Sequence, residues 1–333
     1  MKKLMSVLLV MVMGLMLVGC ASSQTSSESD KEESSDKAEG YPEKAITVIV
    51  AYEAGGGTDS GARIMLPYVE EALGVPVNIV NKPGGGGWIG WSELANAKPD
   101  GYTIGYINTP NFMTGYLDPK FKRKENLESF TPIANHVTDP GVIAIRTDED
   151  RFTNIEELVE YAKENRLTAT STGVGSDDHY ASLKMNDQLG TQFDPVHNKG
   201  AADSVTSVLG GHVDVMFANV GEVTNLHKEG KVKIIGVMGE EKSQFLPDVP
   251  TLAESGFDVY SWSARGLAAP KGMDPEQLKI LQEAFDEGIK NKEHVEKMGK
   301  LGLEVNYLAG QDYMNLLKND EDEVRKLGKL MGW

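Results

Sequence analysis

Two short glycine-bearing turns carry the residue types that can bind an anion. The first has the sequence AGGGTD at residues 54–59, and the second has STGVGS at residues 171–176. Each turn follows a strand-like run and precedes a helix-like run. Its backbone N–H groups therefore lie at a helix start, where the helix dipole favours a negative charge. Two such helix starts facing each other across a cleft can hold a dicarboxylate without an arginine.

Both turns also have a purely structural interpretation. Asp59 and Ser176 are suited to cap the N-termini of the helices that follow them. A phosphate-binding P-loop is excluded at the first turn, because Ala62 and Arg63 follow Gly61 where that motif requires a lysine. The choice between ligand binding and ordinary capping is open at this point.

A third glycine-rich run occupies residues 84–87, and Gly85, Gly87 and Gly90 match the pattern G-x-G-x-x-G. The match is weak, because the sequence NKP at residues 81–83 separates the loop from the preceding strand and no mononucleotide-binding unit surrounds it. We expect a structural turn that lets the next helix pack closely, and we expect no cofactor.

The histidines do not form a metal-binding pattern. They are His136, His179, His197, His212, His227 and His294. No two of them have the i, i+4 spacing of a helical zinc site, and no cysteine joins them, so we expect no metal site. His179 follows closely after Ser176, which makes an exported serine hydrolase a less favoured alternative. Nothing around Ser176 resembles a nucleophile elbow, and we expect no catalytic residue.

The first forty residues predict export and lipid anchoring. Lys2 and Lys3 precede an almost wholly apolar run over residues 4–18. That run is shorter than the ~20 residues of a membrane span and is typical of a secretory signal. The sequence LVGC at residues 17–20 resembles the lipobox of bacterial lipoproteins, and an uncleaved anchor helix is the alternative. We predict a signal peptide over residues 1–19, a lipid on Cys20 and a disordered linker over residues 20–40.

The charge of the chain restricts its partners. The 333 residues carry a formal net charge of -17. An acidic body argues against nucleic acid, because nucleic-acid binding needs basic patches. It is compatible with a small anionic ligand, since charges farther apart than ~8 Å are screened at physiological salt. The chain beyond the linker is long enough for two domains of ~100–200 residues each.

Strand-like runs alternate with amphipathic helices along the rest of the chain, which predicts α/β layers with mostly parallel sheets. The predicted strands cover residues 46–50, 77–80, 102–107, 142–145, 167–170, 213–217 and 232–237. The predicted helices cover residues 60–73, 155–164, 178–189, 202–209, 222–227 and 312–330, with a further helix starting at Asp274-Pro275. Ligands of such folds bind where strand ends meet helix starts, and both turns lie at such positions.

Seven short motifs stand in a recognisable order. They are IVAY at 49–52 leading into AGG at 54–56 and Asp59, NKPG at 81–84, KPDGYT at 98–103, GVGS at 173–176 with His179, KG at 199–200, LGGHVD at 209–214, and LPDVPT at 246–251. Together they resemble the substrate-binding proteins of tripartite tricarboxylate transporters, also called Bug proteins, over essentially all of residues 41–333. The family usually has Pro-Tyr before its Lys-Gly, whereas His197-Asn198 stand there in this chain.

The resemblance implies a two-lobed, periplasmic-binding-protein-like (type II) α/β fold with a hinge between the lobes. One lobe is expected to comprise residues 41–139 and 263–333, and the other residues 140–262. The chain would leave the first lobe near Asp139 and return to it near Trp262. The lobes would close on a ligand like a clam.

The resemblance also implies the ligand class, the binding residues and the partners. Family ligands are citrate-like acids, C4-dicarboxylates, some acidic amino acids and aromatic acids. The expected ligand-binding residues are Gly56, Gly57, Thr58, Asp59, Asn108, Thr109, Ser171, Thr172, Gly175, Ser176, His179, Gly200 and Asn219. The expected partners are the large and small membrane subunits of the transporter. We expect a monomer held outside the cytoplasm by the lipid on Cys20; a sensory module for a membrane signalling partner is the alternative.

Overall fold

The structure is a computed structural model that describes residues 40–198 and 200–333. The predicted signal peptide, the lipidated Cys20 and nearly all of the predicted linker lie outside the described residues. In the part that is described, no helix combines the length and the apolar character that a membrane crossing requires.

The described chain contains strands and helices in alternation. The strands are β1 (Ile46–Val50), β2 (Val77–Asn81), β3 (Thr103–Thr109), β4 (Phe130–Arg146), β5 (Leu167–Ser171), β6 (Phe193–His197), β7 (Met216–Asn219), β8 (Val232–Val237), β9 (Trp262–Pro270) and β10 (Val305–Ala309). The helices are α1 (Gly57–Leu73), α2 (Trp88–Ala95), α3 (Asn111–Leu117), α4 (Ile155–Glu164), α5 (Asp177–Leu189), α6 (Ala201–Leu209), α7 (Val220–Lys228), α8 (Pro275–Lys290), α9 (Lys292–Lys300) and α10 (Gly310–Leu330).

Several helices begin where the sequence supplies a side-chain cap. The Asn154 side chain accepts from the N–H of Glu157 at the start of α4, and Asp274 accepts from two N–H groups at the start of α8. Pro275 follows at the first position of α8, where a proline costs no hydrogen bond. These local signals explain why α4 has its predicted bounds and why α8 starts where predicted.

The expectation of mostly parallel sheets is wrong. The main path of the large sheet runs β10-β4-β9-β3-β1-β2, with β7 and β8 also paired to β4. Strand β1 is parallel to β2 and β3, but β9 is antiparallel to both β3 and β4, and β4 is antiparallel to β7, β8 and β10. The reason is that β4 and β9 are long strands that run past each other in opposite directions and recruit most of the other strands.

Strand β9 could not be read from its residue types. Its sequence WSARGLAAP contains Gly and Pro and no β-branched residue, so its intrinsic strand propensity is low. It forms a strand because β3 and β4 pair with it on its two edges. The paired backbone buries nearly the whole segment despite its composition.

The fold is a two-lobed α/β arrangement, as the resemblance implied. One large apolar cluster packs α1 and α8 against β1, β3 and β9, while another packs α4 and α5 against the second half of β4 and against β5 and β7. Strand β4 contributes to both, since Ile133 lies in the first cluster and Ile143 in the second. Its pairing with β9 ends at Pro140 opposite Trp262, close to the expected crossing points.

The third glycine-rich run is structural, as expected. Residues 84–87 form a tight turn before α2, and Gly90 in that helix packs against the backbone of Ala51. A Cβ atom on Gly90 would lie 2.9 Å from the Ala51 Cα, so only glycine permits this approach. Trp91 is buried beside it and donates its indole N–H to the carbonyl of Tyr106 at 3.0 Å.

Candidate functional site

A polar cavity of about 950 Å³ opens where several strands end and several helices begin. Its walls include the residues that follow β1 and β3, the starts of α1, α6 and α7, and parts of β4 and β9. Seven of the predicted ligand-binding residues line it: Gly56, Gly57, Thr58, Asn108, Thr172, Gly200 and Asn219. The cavity therefore lies at strand ends and helix starts, which is where ligands of α/β folds bind.

The first glycine turn presents an uncapped helix start to this cavity. Gly56 occupies the N-cap position of α1 and supplies no side-chain hydrogen bond to the helix. The first N–H groups of any helix have no intrahelical partner, so those of Gly57 and Thr58 need acceptors from elsewhere. Because both residues line the cavity, a bound anion can supply those acceptors.

Asp59 stabilises this turn through hydrogen bonds and does not line the cavity. Its buried carboxylate accepts from the Gly55 N–H at 2.8 Å, from Arg63 Nε at 2.8 Å and from Asn81 Nδ2 at 2.9 Å. Burial raises the pKa of Asp59, but these hydrogen bonds and the charge of Arg63 outweigh it and hold the pKa below its usual value. Asp59 is therefore an ionised support of the turn.

The second glycine turn uses its N–H groups internally. The Thr172 N–H donates to Asp178 Oδ2 at 3.2 Å, and the Gly175 N–H donates to Nδ1 of His179 at 3.0 Å. Ser176 caps α5 by accepting from the His179 N–H at 3.2 Å. The expectation of a second free helix start is wrong, because side chains of the same turn and helix already satisfy these donors. Of this turn, Thr172 lines the cavity.

The same contacts exclude the hydrolase alternative. Ser176 is 1 % exposed, and its Oγ is occupied by the cap on α5 and by Ser171 Oγ at 3.1 Å. The Nδ1 atom of His179 accepts from the backbone instead of from the serine. Burial, together with the nearby His197, lowers the pKa of His179 to about 4. Ser176 is a structural cap with no access to a substrate.

Six predicted residues lie outside the cavity lining: Asp59, Thr109, Ser171, Gly175, Ser176 and His179. Thr109 is buried, and its hydroxyl donates to the Asp320 carboxylate on α10. Gly175 packs against Thr114 of α3, whose hydroxyl donates to the Gly175 carbonyl at 3.1 Å. These residues hold the two turns and the ends of the strands in place.

Arg265 lies in the cavity wall on β9 and was not among the residues predicted from the sequence. Its side chain is 9 % exposed, and Nη2 lies 3.4 Å from Asp139 Oδ2. Gly57 covers the other end of the guanidinium, since a Cβ atom there would lie 2.9 Å from Nη1. The available signal was a single arginine inside an otherwise uncharged segment, SWSARGLAAP, because a buried strand rarely holds a charge without a purpose.

Acidic side chains share the cavity with this arginine. Asp139 is fully buried, and burial raises its pKa to about 6 although the charge of Arg265 opposes the shift. Burial likewise raises the pKa of Glu222 to about 7, against a hydrogen bond from the Asn219 N–H. Burial also raises the pKa of Asp177, which accepts from Asn219 Nδ2 at 2.8 Å. A site of this kind is suited to hold a polar ligand rather than a purely apolar one.

Two α/β lobes around a polar cavity at strand ends define the class of extracytoplasmic solute-binding receptors. The chain belongs to the tripartite tricarboxylate transporter family receptor group, TctC, whose family model matches residues 62–332. This family consists of periplasmic solute-binding receptors and not of enzymes.

Individual relatives cover nearly the full length of the chain. A UPF0065 protein of Cupriavidus necator is 29% identical over 302 residues, which is 88% of this chain and 90% of the relative. A TctC solute-binding protein from Polaromonas, solved without ligand, is 31% identical with a TM-score of 0.74 and covers 86% of this chain and 99% of its own. MatC from Rhodopseudomonas palustris, solved with bound malate, is 25% identical with a TM-score of 0.71, at 86% and 98% coverage.

Proposed function

We propose that this protein is a lipid-anchored receptor that captures an organic acid anion and delivers it to the membrane subunits of a tripartite tricarboxylate transporter. The ligand class is a di- or tricarboxylate or an acidic amino acid. The observation that carries the proposal is the uncapped start of α1 at a polar cavity that also contains Arg265.

The energetics of such a site suffice for a receptor. Micromolar affinity requires about 8 kcal/mol of binding free energy. Hydrogen bonds to a charged group contribute ~1.5–3 kcal/mol each. The amides of Gly57 and Thr58, the Thr58 hydroxyl and the Arg265 guanidinium together reach that range. The malate found in MatC supports the ligand class for this chain.

Ligand binding is proposed to close two lobes, residues 41–139 with 263–333 and residues 140–262, about the crossing segments. The cavity supports this division, since Gly57 and Asn108 lie on one side of the proposed boundary while Thr172 and Asn219 lie on the other. A ligand bridging the two sides favours the closed state by the difference of its affinities for the two states. Small-angle X-ray scattering should then show a smaller radius of gyration on ligand addition.

The decisive experiment is a thermal-shift and calorimetric screen of citrate, malate, succinate, aspartate, glutamate and an aromatic acid. We expect at least one acid to raise the melting temperature and to bind with micromolar affinity, because a ligand that binds only the folded state stabilises it. No shift with any of these acids at millimolar concentration would contradict the proposal.

The anchor requires a separate test. Residues 1–19 are proposed to be removed as a signal peptide, and Cys20 is proposed to carry the lipid. Mass spectrometry of the protein from membranes should show an acylated N-terminal cysteine, and Cys20→Ser should leave the receptor unanchored. An unmodified Cys20 in the membrane-bound protein would refute the lipid while leaving the ligand proposal unaffected.

A further inference from the structure

Arg265 and Asn108 lie directly opposite each other in the sheet. They are register partners in the antiparallel pair of β3 and β9, and both line the cavity. Side chains at directly opposite positions share one face of a sheet, with Cβ atoms about 5 Å apart. The two residues therefore present an adjacent pair of side chains to the same part of the cavity.

Arg265 has one end without a partner. Its Nη2 atom faces Asp139 at 3.4 Å, which is long for a charge-assisted hydrogen bond. Its Nη1 atom is buried and has no hydrogen-bond partner among the described residues. A buried donor left without an acceptor is costly, so this atom indicates that an acceptor is supplied by something bound in the cavity.

Asn108 has an unpartnered acceptor, which complements the unpartnered donor of Arg265. Its Nδ2 donates to Thr58 Oγ1 at 2.8 Å, and the residue is 6 % exposed. Its Oδ1 atom is buried and lacks a partner within the described part of the chain. An unpartnered acceptor thus lies beside an unpartnered donor, and both belong to side chains that are more than nine-tenths buried.

We infer that Asn108 and Arg265 act as one recognition element for a carboxylate that bears a hydrogen-bond donor on the neighbouring carbon. Arg265 and the N–H groups at the start of α1 bind the carboxylate oxygens. Asn108 Oδ1 accepts from the hydroxyl or ammonium group at the 2-position. This inference rests on the proposed function and narrows its ligand class to 2-hydroxy or 2-amino acids.

The neighbouring residues favour such a head group over a bare carboxylate. Thr58 is held by Asn108, and Gly57 leaves room for the Arg265 guanidinium, so the start of α1 and the strand pair form one surface. Asp139 and Asp177 line the same cavity and present carboxyl oxygens, which accept hydrogen bonds. A hydroxyl or ammonium group at the 2-position can donate to such oxygens, whereas an unsubstituted carbon cannot.

The test compares matched acids that differ only at the 2-position. Calorimetry is performed with succinate, L-malate and L-aspartate, and with glutarate, L-2-hydroxyglutarate and L-glutamate. For the wild type we expect one substituted acid to bind at least roughly tenfold more tightly than the unsubstituted acid of the same length, because a site built around a donor rejects a ligand that lacks it.

The variants separate the two side chains. Asn108→Ala should reduce that preference to below about threefold, because the acceptor for the 2-substituent is lost. Asn108→Asp keeps an acceptor and should shift the preference toward the 2-amino acid. Arg265→Gln should weaken all binding acids by roughly tenfold or more, and Arg265→Lys, which keeps the charge but not the fork, should weaken them less.

Two control variants test whether the loss of a buried asparagine, or of an arginine charge, affects binding when the residue lies away from the cavity. Asn135 is also buried with an unpartnered Oδ1, but it lies outside the cavity lining, so Asn135→Ala should leave the preference unchanged. Arg166→Gln removes an exposed arginine paired with Asp194 and should leave all affinities unchanged. Melting temperatures identify any variant that fails to fold.

The binding measurements distinguish a failure of the inference from a failure of the proposed function. A wild-type preference that survives Asn108→Ala, or an Arg265→Gln variant with unchanged affinities, overturns the inference. A wild type that binds the acids without regard to the 2-substituent overturns it as well, while the proposed function stands. A wild type that binds none of the carboxylates in the wider screen overturns both.

Discussion

The two glycine turns both connect a strand to a helix, but they satisfy their backbone N–H groups in different ways. The turn at residues 54–59 leaves the start of α1 uncapped and places Gly57 and Thr58 at the cavity. The turn at residues 171–176 caps α5 with Ser176 and satisfies its own N–H groups. Two turns at the same kind of position thus differ: the first N–H groups of α1 lack a capping side chain and can bind a ligand, whereas the turn before α5 supplies its own acceptors.

The acids that accept from these two turns, Asp59 and Asp178, have pKa values shifted in opposite directions. Asp59 is ionised under the first turn, where Arg63 and two further donors hold its pKa low. Asp178 is the second residue of α5, whereas Asp59 is the third residue of α1, and Asp178 accepts from the Thr172 N–H and hydroxyl. Burial and the adjacent charge of Asp177 raise the pKa of Asp178 well above its usual value. An acid near a helix start therefore indicates a turn, and its neighbours decide whether its charged form is favoured or disfavoured.

The largest expected difference concerns these two acids. Asp59→Asn should lower the free energy of unfolding by about 2 kcal/mol at pH 7, because it removes the charge that binds Arg63 and the Gly55 N–H. Asp178→Asn should cost less, about 1 kcal/mol or below, because burial disfavours the charge of Asp178 and an amide oxygen can still accept from the Thr172 N–H and hydroxyl. Chemical denaturation measures both. Equal losses would contradict the expectation that the charge of Asp59 contributes more stability than that of Asp178.

A crossed pair of variants should separate binding from stability. Gly57→Ala places a Cβ atom against Arg265 Nη1 and should weaken carboxylate binding roughly tenfold, about 1.4 kcal/mol, while changing stability little. Ser176→Ala removes the cap of α5 and should cost about 1 kcal/mol of stability with a smaller effect on affinity. Calorimetry and denaturation report the two quantities, and a stronger effect of Ser176→Ala on affinity would reverse the assignment of the turns.

The smallest expected effect is a pH dependence of binding. Glu222, at the start of α7, has a pKa raised by burial to about 7, against an ordinary value of 4.5. The protonated form predominates below that value, so the cavity gains negative charge as the pH rises through about 7. Affinity for a dicarboxylate should therefore fall severalfold between pH 6 and about pH 8.

Glu222→Gln is the matched control for the pH dependence, because it keeps the shape of the side chain without its charge. The variant should bind with a flatter pH profile than the wild type. An identical profile in both proteins would assign the dependence to another group, such as Asp139, whose pKa is raised to about 6.

Much of the fold was accessible from local sequence. The sequence predicted α4 with its observed bounds, and β8 likewise has its predicted bounds. Strands β6, β9 and β10 were not predicted, and the prediction of mostly parallel sheets failed with β9 and β10. Strands β9 and β10 exist because neighbouring strands pair with them, which is a contact between distant parts of the chain.

The candidate site likewise has some features that could be predicted from local sequence and others that depend on tertiary contacts. The two glycine turns were predicted from local features, and four of their residues line the cavity: Gly56, Gly57, Thr58 and Thr172. The family resemblance implied three further lining residues, Asn108, Gly200 and Asn219. The sequence also predicted a symmetrical pair of anion-binding turns and no role for an arginine. In the structure, Asp178 and His179 accept from the N–H groups of the second turn, and Arg265 lies beside the first turn.

The sequence by itself determined the family, the two-lobed α/β architecture and the places where helices begin, because motif order, caps and apolar spacing act over a few residues. Only the tertiary structure decided which helix start lacks a cap partner and which buried side chains lack hydrogen-bond partners. The physical reason is that hydrogen-bond satisfaction depends on atoms brought together by strand register, as when β3 and β9 place Asn108 opposite Arg265.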